Sequence, residues 1–284
     1  MRVPKLLISD LDGTLLDERL TIDPRDAAAA RVAREAGMRV GVATGRMYRS
    51  GLPHALVLGA DLPLISYQGA LIKELASGVG PGDHDHEAKV LFSRDVPGEL
   101  GLEVLDLCRR RGYALNVYRD DHLYVDEVTP DVLFYTGIAQ IEAEVATDPP
   151  LEELISRGST KLTAVCEDVG RFQVALEELR QLIGDRAEVT RSIVGFCEIT
   201  APDVDKGHAL RWLCRQLEVD LEDVVAVGDA PNDIPLLRAA GTKVAVETAA
   251  LEVKAIADWL VPGPGHGGLA EVVRRVLMAP AESR

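Results

Sequence analysis

The stretch Asp10-Leu11-Asp12-Gly13-Thr14-Leu15-Leu16-Asp17 directly follows the apolar run of residues 3–8 and decides the fold. Such a run is typical of a strand that is buried on both faces. Two carboxylates two residues apart at the end of a strand point to the same side of the chain, and Gly13 lets the backbone turn away after them. We therefore expect both acids at the carboxyl end of a buried strand, where ligands bind in open α/β sheets.

The chemistry of this acid pair favours a catalytic site, and a structural interpretation is the alternative. One carboxylate can act as a nucleophile, carboxylate oxygens are ligands that Mg²⁺ prefers, and a second carboxylate can transfer a proton. Asp-Gly pairs also mark ordinary turns, and Asp often caps a helix. The rest of the chain favours the catalytic interpretation.

The composition indicates an ordinary soluble globular protein. The chain has 284 residues, enough for one large domain or two medium ones, and 47% of them are apolar. Its formal net charge of −15 makes nucleic acid and anionic membranes unfavourable partners. No apolar run approaches the roughly 18 residues of a membrane span, and the N-terminal apolar run is too short for a signal peptide. We expect a cytoplasmic protein.

The cysteines give no sign of a metal site or a disulfide framework. They are far apart and form no C-x-x-C pair: Cys108, Cys166, Cys197 and Cys214. We interpret them as small buried apolar residues in a reducing compartment.

The first 72 residues alternate between strand and helix patterns. Strands are predicted at residues 3–8, 39–43 and 62–66. Between the first two, Asp23-Pro24 provides an N-cap and a first-turn proline, residues 27–36 have a helical composition, and Gly37 ends the helix. Short strands separated by helices imply parallel pairing through crossover connections.

The pattern changes near residue 77. A break rich in Gly and Pro is followed by Asp83-His84-Asp85-His86-Glu87. The His/Asp alternation is compatible with a metal site, but a solvated turn is favoured because such a segment lacks a rigid surrounding shell. Residues 88–200 then mix strands and helices, which is typical of an inserted α+β domain.

The alternation resumes after the insertion. Helices are predicted at 209–217 and 234–240, and strands at 224–227, 244–246 and 259–261. The sequence thus predicts an α/β fold with a Rossmann-like parallel-sheet core made of residues 1–82 and 201–284. We expect residues 83–200 to form an inserted α+β domain, with hinges at 77–83 and 201–204.

Four polar clusters stand just past a predicted strand or at the start of a helix: Asp10/Asp12, Thr44-Gly45-Arg46, Lys206, and Gly228-Asp229-Ala230-Pro231-Asn232-Asp233. In this order they resemble the haloacid dehalogenase superfamily of phosphohydrolases. The long insertion between the second and third clusters is similar to the Cof-like branch, which carries a large α/β cap at this point. The stretch Asp205-Lys206-Gly207-His208-Ala209-Leu210 also matches that family. The resemblance covers residues 1–75 and 200–275 and is weak within the insertion.

The resemblance implies roles for the acidic residues and the lysine. Asp10 would be the nucleophile that forms an aspartyl-phosphate, and Asp12 would protonate the leaving alkoxide and then take a proton from water. Lys206 would add a fixed positive charge. The implied cofactor is Mg²⁺, held by Asp10, the backbone carbonyl of Asp12 and Asp229, with Asp233 supporting its water shell.

The remaining motif residues are implied in phosphate binding. Thr44 offers a hydroxyl and Gly45 a backbone N–H before a helix, while Asn232 would contact the phosphate or the surroundings of the nucleophile. The alternatives are that Thr44 is only a helix N-cap and that Lys206 is only a surface lysine. For Arg46, a salt bridge that orients the loop and a contact with substrate are both open.

Two turns depart from the family pattern. Tyr67-Gln68-Gly69 stands where the family often has Asn-Gly, and Ala245-Val246-Glu247-Thr248-Ala249 replaces an Ala-Met-Gly-Asn-Ala turn. His266 stands where the family has an acidic residue, and a surface turn is the favoured interpretation there. These departures concern substrate choice rather than the reaction class.

The leading hypothesis is a magnesium-dependent phosphatase acting on a small phosphorylated metabolite, such as a sugar phosphate. The alternative in another reaction class is a phosphomutase or phosphotransferase. A binding protein that lost catalysis is disfavoured because Asp10, Asp12, Lys206 and Asp229 are all present. A haloacid dehalogenase is disfavoured because that chemistry needs neither a metal nor a second acid. A homo-oligomer is compatible with each of these hypotheses.

Overall fold

The computed structural model describes residues 4–76, 88–139, 141–191 and 195–278. The chain divides into two compact units. Unit 1 consists of Met1–Phe92 and Asp205–Arg284, and unit 2 consists of Ser93–Val204. Both junctions lie C-terminal to the expected ones. The stretch 83–87, considered above as a metal site or a solvated turn, and the hinge expected at 77–83 are not among the described residues.

The first part of the chain alternates strands and helices and ends in two further strands. Its elements are β1 (Leu6–Ser9), α1 (Pro24–Glu35), β2 (Arg39–Val42), α2 (Tyr48–Leu58), β3 (Leu64–Ser66), β4 (Leu71–Lys73) and β5 (Val90–Ser93). Helix α1 begins where the sequence predicts, because the Asp23 side chain accepts a hydrogen bond from the backbone N–H of Arg25.

Unit 2 is built from a mixed sheet and helices, which confirms its predicted α+β character. Its elements after β5 are α3 (Gly98–Arg111), β6 (Ala114–Arg119), β7 (His122–Val125), α4 (Pro130–Ala139), β8 (Glu144–Val145), α5 (Leu151–Ser156), β9 (Lys161–Val165), α6 (Val169–Ile183), β10 (Glu188–Arg191) and β11 (Phe196–Thr200). The strand order is β10-β11-β9-β6-β7-β8, and all pairs are antiparallel except β7 with β8.

The last part of the chain returns to unit 1. Its elements are α7 (Lys206–Leu217), β12 (Val224–Gly228), α8 (Ile234–Ala239), β13 (Thr242–Val246), α9 (Leu251–Lys254), β14 (Trp259–Val261) and α10 (Gly268–Met278). Helix α7 begins at Lys206 and not at residue 209, so that prediction is wrong by almost one turn. The reason is the N-cap, since the Asp205 side chain accepts a hydrogen bond from the backbone N–H of His208 at 2.6 Å.

The main sheet of unit 1 is parallel throughout, as predicted. Its strand order is β14-β13-β12-β1-β2, so β1 lies between β12 and β2. At the end of β1, Ser9 lies opposite Val42 on one side and Val227 on the other. β1 and β12 are buried along their whole length, which explains why both consist mainly of apolar residues. The α/β fold with a Rossmann-like parallel-sheet core is confirmed.

The third predicted strand behaves differently from the other two. β3 touches the main sheet through one parallel bridge, between Ala43 and Ile65, and it pairs antiparallel with β4. The chain reverses in between because Tyr67, Gln68 and Gly69 have φ values of 51°, 58° and 105°. The parallel pairing predicted for this strand is therefore wrong beyond that single bridge, and the order β3-β4-β5 forms a small separate sheet.

The four cysteines are free and buried, as the sequence predicts. Within the described ranges, no helix has the length and apolar character needed to cross a membrane.

Candidate active site

Polar residues from three parallel strands meet at one edge of the main sheet. Asp10 follows β1, Thr44 follows the extension of β2, and Asp229 follows β12. The backbone N–H of Asp10 still donates to the carbonyl of Val227, which keeps Asp10 in register with the neighbouring strand. Because the strands are parallel, these residues lie at the same carboxyl edge, the usual ligand-binding edge of such a sheet.

Lys206 joins two of the acidic residues at this edge. Its ammonium Nζ lies 2.6 Å from Asp10 Oδ1 and 2.7 Å from Asp233 Oδ1. Lys206 is 1% exposed, Asp10 4% and Asp233 0%. The Asp205 N-cap places Lys206 in the first turn of α7, and the buried ion pairs hold its ammonium in place. The alternative of an ordinary surface lysine is therefore wrong.

Asp233 also fixes the loop after β12. Its second oxygen, Oδ2, accepts hydrogen bonds from the backbone N–H groups of Asp229 at 3.0 Å and Ala230 at 3.1 Å. A Cβ on Gly228 would lie 2.6 Å from the Asp233 Cβ, so only glycine lets the strand end this close to the carboxylate. Asp233 thus has a structural role in this loop in addition to its ion pair with Lys206.

The Asp-Gly turn after β1 packs against Asp229. Gly13 has φ +77°, and a Cβ there would lie 2.4 Å from Asp229 Oδ2. Thr14 donates its hydroxyl hydrogen to Asp229 Oδ1 at 2.9 Å. Gly13 is therefore required both for its left-handed backbone and for the close approach of the second acidic loop.

Burial shifts the acid–base properties of the cluster. Burial raises the pKa of Asp10 well above its usual range, Lys206 opposes that shift, and Asp233 and Asp229 reinforce it. Burial also raises the pKa of Asp229 to about 6, with a further contribution from Asp233. Burial alone would lower the pKa of Lys206, but Asp10 and Asp233 raise it above the usual value for lysine. Three carboxylates thus face one ammonium, and the cluster carries excess negative charge.

This excess charge and the type of ligand atom fit a divalent cation. Asp10, Asp229 and Asp233 each offer a carboxylate oxygen, and the three oxygens lie within 4.8 Å of one another. An all-oxygen set of this kind suits Mg²⁺, which is a hard cation. The side chain of Asp12 is engaged elsewhere, so only its backbone carbonyl is a candidate ligand.

Asp12 and Arg46 form a two-point ion pair. Arg46 Nε lies 2.8 Å from Asp12 Oδ2, and Arg46 Nη2 lies 2.6 Å from Asp12 Oδ1. The Asp12 side chain is 50% exposed and that of Arg46 is 15% exposed. Of the two interpretations of Arg46, the orienting salt bridge is the one observed, and its partner is the predicted acid–base residue.

Thr44 and Gly45 precede α2 in the chain, and neither of them is its N-cap residue. The N-cap of α2 is Met47, so the interpretation of Thr44 as an N-cap is wrong. Thr44 is fully buried, and its Oγ1 accepts a hydrogen bond from the backbone N–H of Arg46 at 3.1 Å. A Cβ on Gly45 would lie 2.5 Å from Gln68 Nε2, so this backbone is closely covered by Gln68.

A comparison with known protein families matches residues 7–273 to a family described as haloacid dehalogenase-like hydrolase. The chain belongs to the haloacid dehalogenase-like hydrolases. Phosphoglycolate phosphatase from Methanopyrus kandleri is 28% identical over 273 residues, covering 96% of this chain and 97% of that protein. Pyridoxal phosphate phosphatase from Escherichia coli is 29% identical over 282 residues, covering 95% and 97%. A crystal structure of a protein from Thermotoga maritima superposes with a TM-score of 0.83 at 28% identity, covering 96% and 97%.

The family assignment confirms the resemblance found in the four motifs. This haloacid dehalogenase-like chain is an enzyme, and the two relatives described above are phosphatases. The structure brings together four residues that are far apart in the sequence: Asp10, Lys206, Asp229 and Asp233. The first and the last of them are 223 positions apart, at 10 and 233. Their catalytic and metal-binding roles stay predictions.

Two contacts at this site were not predicted from the sequence of this haloacid dehalogenase-like hydrolase. Thr14 orients Asp229, and Gln68 Oε1 accepts a hydrogen bond from Asn232 Nδ2 at 3.1 Å. The Gln68-Gly69 turn was noted only as a departure from the family pattern. Its position after a strand was the signal that could have placed it beside the other motifs.

Proposed function

We propose that this chain is a Mg²⁺-dependent phosphatase that hydrolyses a small phosphomonoester through an aspartyl-phosphate on Asp10. The observation that carries the proposal is the buried ammonium of Lys206, which lies 2.6 Å from Asp10 and 2.7 Å from Asp233 at the carboxyl edge of a parallel sheet. A phosphate monoester is doubly negative, so a carboxylate can reach its phosphorus only where fixed positive charge offsets the repulsion.

In the first step, a carboxylate oxygen of Asp10 forms a bond to phosphorus while the bond from phosphorus to the alkoxide breaks. Asp12 gives its proton to that leaving oxygen. In the second step, water attacks the same phosphorus, the bond to Asp10 breaks, and Asp12 takes the proton that the water loses. Arg46 orients the Asp12 carboxylate through two hydrogen bonds, and the half-exposed position of Asp12 leaves it within reach of a bound ester.

The proposed metal ligands are Asp10, the backbone carbonyl of Asp12 and Asp229, with Asp233 supporting the site through Lys206 and the loop after β12. When bound, Mg²⁺ would supply the neutralising charge that the single ammonium of Lys206 cannot. The excess negative charge of the cluster and the raised pKa of Asp229 support this assignment.

Thr44, Gly45 and Asn232 are the proposed phosphate contacts. Thr44 Oγ1 accepts from the backbone of Arg46, which leaves the hydroxyl hydrogen to point toward a phosphate oxygen. Asn232 gives one amide hydrogen to Gln68 and keeps a second for the substrate. The backbone N–H of Gly45 is a third donor for the phosphoryl group.

We assign substrate selection to unit 2, as the cap of the enzyme, and place the substrate among small phosphorylated metabolites. The named relatives act on phosphoglycolate and pyridoxal phosphate, which are compounds of this kind. A phosphomutase would use the same first step but pass the phosphoryl group to another hydroxyl, so the release of free phosphate distinguishes the two reactions.

The test is a panel of phosphorylated metabolites assayed for free phosphate with Mg²⁺ and with a chelator. We expect release from at least one class of ester, loss of release with chelator, and recovery on adding Mg²⁺. Asp10→Asn should abolish release, because an amide is a poor nucleophile, while the exposed Asp106→Asn serves as a matched control. Release by a pure Asp10→Asn preparation at the wild-type rate would refute the proposal.

A further inference from the structure

The turn between β3 and β4 has a backbone that is unusual for its residue types. Tyr67 and Gln68 have φ values of 51° and 58°, in the left-handed region, and Gly69 has a φ of 105°. Residues other than glycine, asparagine and aspartate rarely adopt such values, which are costly for a bulky or long side chain. We call Tyr67, Gln68 and Gly69 the reversal turn. A strained backbone persists only where its surroundings hold it, and such strain is frequent at functional sites.

Backbone hydrogen bonds hold the reversal turn against the loop that follows β2. The N–H of Tyr67 donates to the carbonyl of Arg46 at 2.9 Å, and the N–H of Gln68 donates to the carbonyl of Thr44 at 3.1 Å. The two carbonyls lie on either side of Gly45, whose backbone N–H is a proposed phosphate donor. The reversal turn therefore fixes the course of this part of the proposed phosphate site.

The reversal turn also packs against the start of α7. A Cβ on Gly69 would lie 2.5 Å from the carbonyl oxygen of Asp205, which is the N-cap of that helix, and 3.0 Å from the Cβ of Ala209. Glycine is needed here both for its φ and for this close contact. The turn thus touches two segments that carry proposed site residues, the loop after β2 and the helix that begins with Lys206.

The side chain of Gln68 connects the reversal turn to a third segment, the loop after β12. Gln68 is 8% exposed, and its Oε1 accepts a hydrogen bond from Asn232 Nδ2 at 3.1 Å. Its Nε2 lies against the backbone of Gly45, because a Cβ on Gly45 would be only 2.5 Å from that nitrogen. Gln68 therefore stands between two of the proposed phosphate contacts and touches both.

The hydrogen bond with Gln68 determines which way the amide group of Asn232 faces. Because Gln68 Oε1 is an acceptor, it holds the NH₂ group of Asn232 on its own side, and the second hydrogen of that group stays available for a phosphate oxygen. An amide turned the other way would present its oxygen to an anion, which is repulsive.

The length of the Gln68 side chain is part of this arrangement. Its hydrogen bond of 3.1 Å is already at the long end of the normal range, and asparagine is one methylene shorter. Asparagine would also adopt the left-handed backbone more readily. A long side chain at a backbone position that disfavours it indicates that its reach is used.

We propose that Gln68 is a positioning residue for the phosphoryl group. It holds the amide of Asn232 and the backbone of Gly45 at the separation at which both donate to one phosphate. This rests on the proposed phosphatase function. Gln68 acts through these two residues, so its loss weakens binding of the phosphoryl group in the ground state and the transition state alike. Such a loss raises KM and leaves kcat nearly unchanged.

The test is Gln68→Asn, which keeps an amide, suits the left-handed backbone and loses the reach. The full-length protein is titrated with inorganic phosphate in the presence of Mg²⁺ in a calorimeter. We expect a Kd about 3- to 10-fold higher than for wild type, the range for the loss of one hydrogen bond. KM for a substrate should rise by a similar factor. A variant with structural damage alone would instead lose kcat and keep KM.

Glu218→Asp is the matched control. Glu218 is exposed, has a φ of 54° at the C-cap of α7, and loses one methylene in the same way. It lies at the other end of a 12-residue helix from Lys206, about 18 Å along the axis. Both variants should unfold at a midpoint close to that of wild type, and only Gln68→Asn should weaken phosphate binding. An equal Kd for wild type and Gln68→Asn would overturn the proposal.

A double-mutant cycle with Asn232→Ala tests whether Gln68 acts through Asn232. The loss of phosphate affinity caused by Gln68→Asn should be smaller in the Asn232→Ala protein than in wild type, because the residue that Gln68 positions has already been removed. Losses that add in full would contradict the positioning role. If Gln68→Asn does not fold, Gln68→Met has a similar length without the acceptor, and the same results are expected of it.

Phosphate binding separates the positioning role from the phosphatase function. Tighter binding of inorganic phosphate by wild type than by Gln68→Asn supports the positioning role, even if wild type releases no phosphate from any ester. Hydrolysis of phosphomonoesters with the same KM in both proteins contradicts the positioning role and leaves the phosphatase function standing.

Discussion

At the scale of single residues, the account depends most on Lys206. A lysine that is 1% exposed is tolerated because Asp10 and Asp233 pair with it at 2.6 and 2.7 Å. Removing one partner of a buried ion pair typically costs about 3–5 kcal/mol, because the remaining charge stays buried without compensation. Among the described residues, Lys206 is the cation that pairs with this cluster, so its loss would leave the three carboxylates without that charge.

We therefore expect Lys206→Met to lower the free energy of unfolding by about 3–5 kcal/mol when chelator is present. Mg²⁺ should recover part of this loss, because a cation that binds the folded protein restores the missing charge. Urea unfolding with chelator and with Mg²⁺ measures both effects, and the exposed Lys89→Met is the control. A Lys206→Met protein as stable as wild type in chelator would contradict the account.

Asp12 should behave differently from Asp10, because its side chain acts in proton transfer. We expect Asp12→Asn to slow the hydrolysis of alkyl phosphates more than that of aryl phosphates, whose leaving oxygen needs no proton. General acid–base catalysis contributes about 10²–10⁴-fold, so the two losses in kcat/KM should differ within that range. Arg46→Lys, which keeps the charge but loses the two-point contact, should cause a smaller loss of the same kind. Equal losses for both ester types would remove Asp12 from this role.

At the scale of elements, the sequence predicts those parts whose signals are local. The apolar β1 before Asp10, the capped start of α1 and the parallel order of the main strands all follow from composition and spacing. The start of α7 was missed because its apolar periodicity begins at residue 209, whereas its cap, Asp205, comes earlier. The β3–β4 reversal depends on left-handed Tyr67 and Gln68, which are not residue types that predict such a turn.

Asp26 links two helices in a way that neither helix pattern reveals. It lies in the first turn of α1, is 1% exposed, and accepts a hydrogen bond from the backbone N–H of Ala270 at 2.9 Å, in the first turn of α10. The end of one helix is thus capped by a residue that is 244 positions away. Burial raises the pKa of Asp26, while the hydrogen bond from Ala270 opposes the shift.

This gives a prediction for the pH dependence of stability. A carboxyl group with a raised pKa in the folded state contributes fully below its unfolded pKa of about 3.9, and the contribution is lost as pH rises through the folded value. The unfolding free energy of wild type minus that of Asp26→Asn should therefore decrease from about pH 4 to pH 7. Urea unfolding of both proteins across this range measures the difference, with Asp106→Asn as the exposed control. A difference that grows with pH would mean that the hydrogen bond from the N-terminus of α10 lowers the pKa of Asp26 more than burial raises it.

At the scale of the whole molecule, contacts between residues that are far apart in the sequence could be predicted only where a motif marked them. The motifs predicted that Asp10, Lys206 and Asp229 meet, because each follows a strand or opens a helix at the same edge of the sheet. Nothing local marked the pair Asn116 and Thr163 in unit 2, since isolated polar residues in strand patterns are ordinary. Asn116 and Thr163 are distinguished by the strand register of unit 2, which places them side by side, and by their complete burial.

The division into two units predicts separable contributions to the enzyme. We expect that replacing residues 93–204 with a short linker retains slow hydrolysis of a small aryl phosphate, because the residues proposed for chemistry all belong to unit 1. Selectivity among phosphorylated metabolites should be lost, because selectivity depends on contacts beyond the phosphate. Phosphate release across the metabolite panel measures both. A shortened protein with the wild-type order of preference would show that selectivity resides in unit 1.

The most direct test of the central claim is to trap the phosphoryl group on the protein. A reaction with excess enzyme and Mg²⁺ is quenched during turnover, reduced with borohydride, digested and examined by mass spectrometry. Because an acyl phosphate is reduced to an alcohol, we expect homoserine at position 10, only with substrate and not in Asp10→Asn. Release of phosphate by active enzyme with an unmodified Asp10 at every quench time, and the same release from Asp10→Asn, would contradict the account.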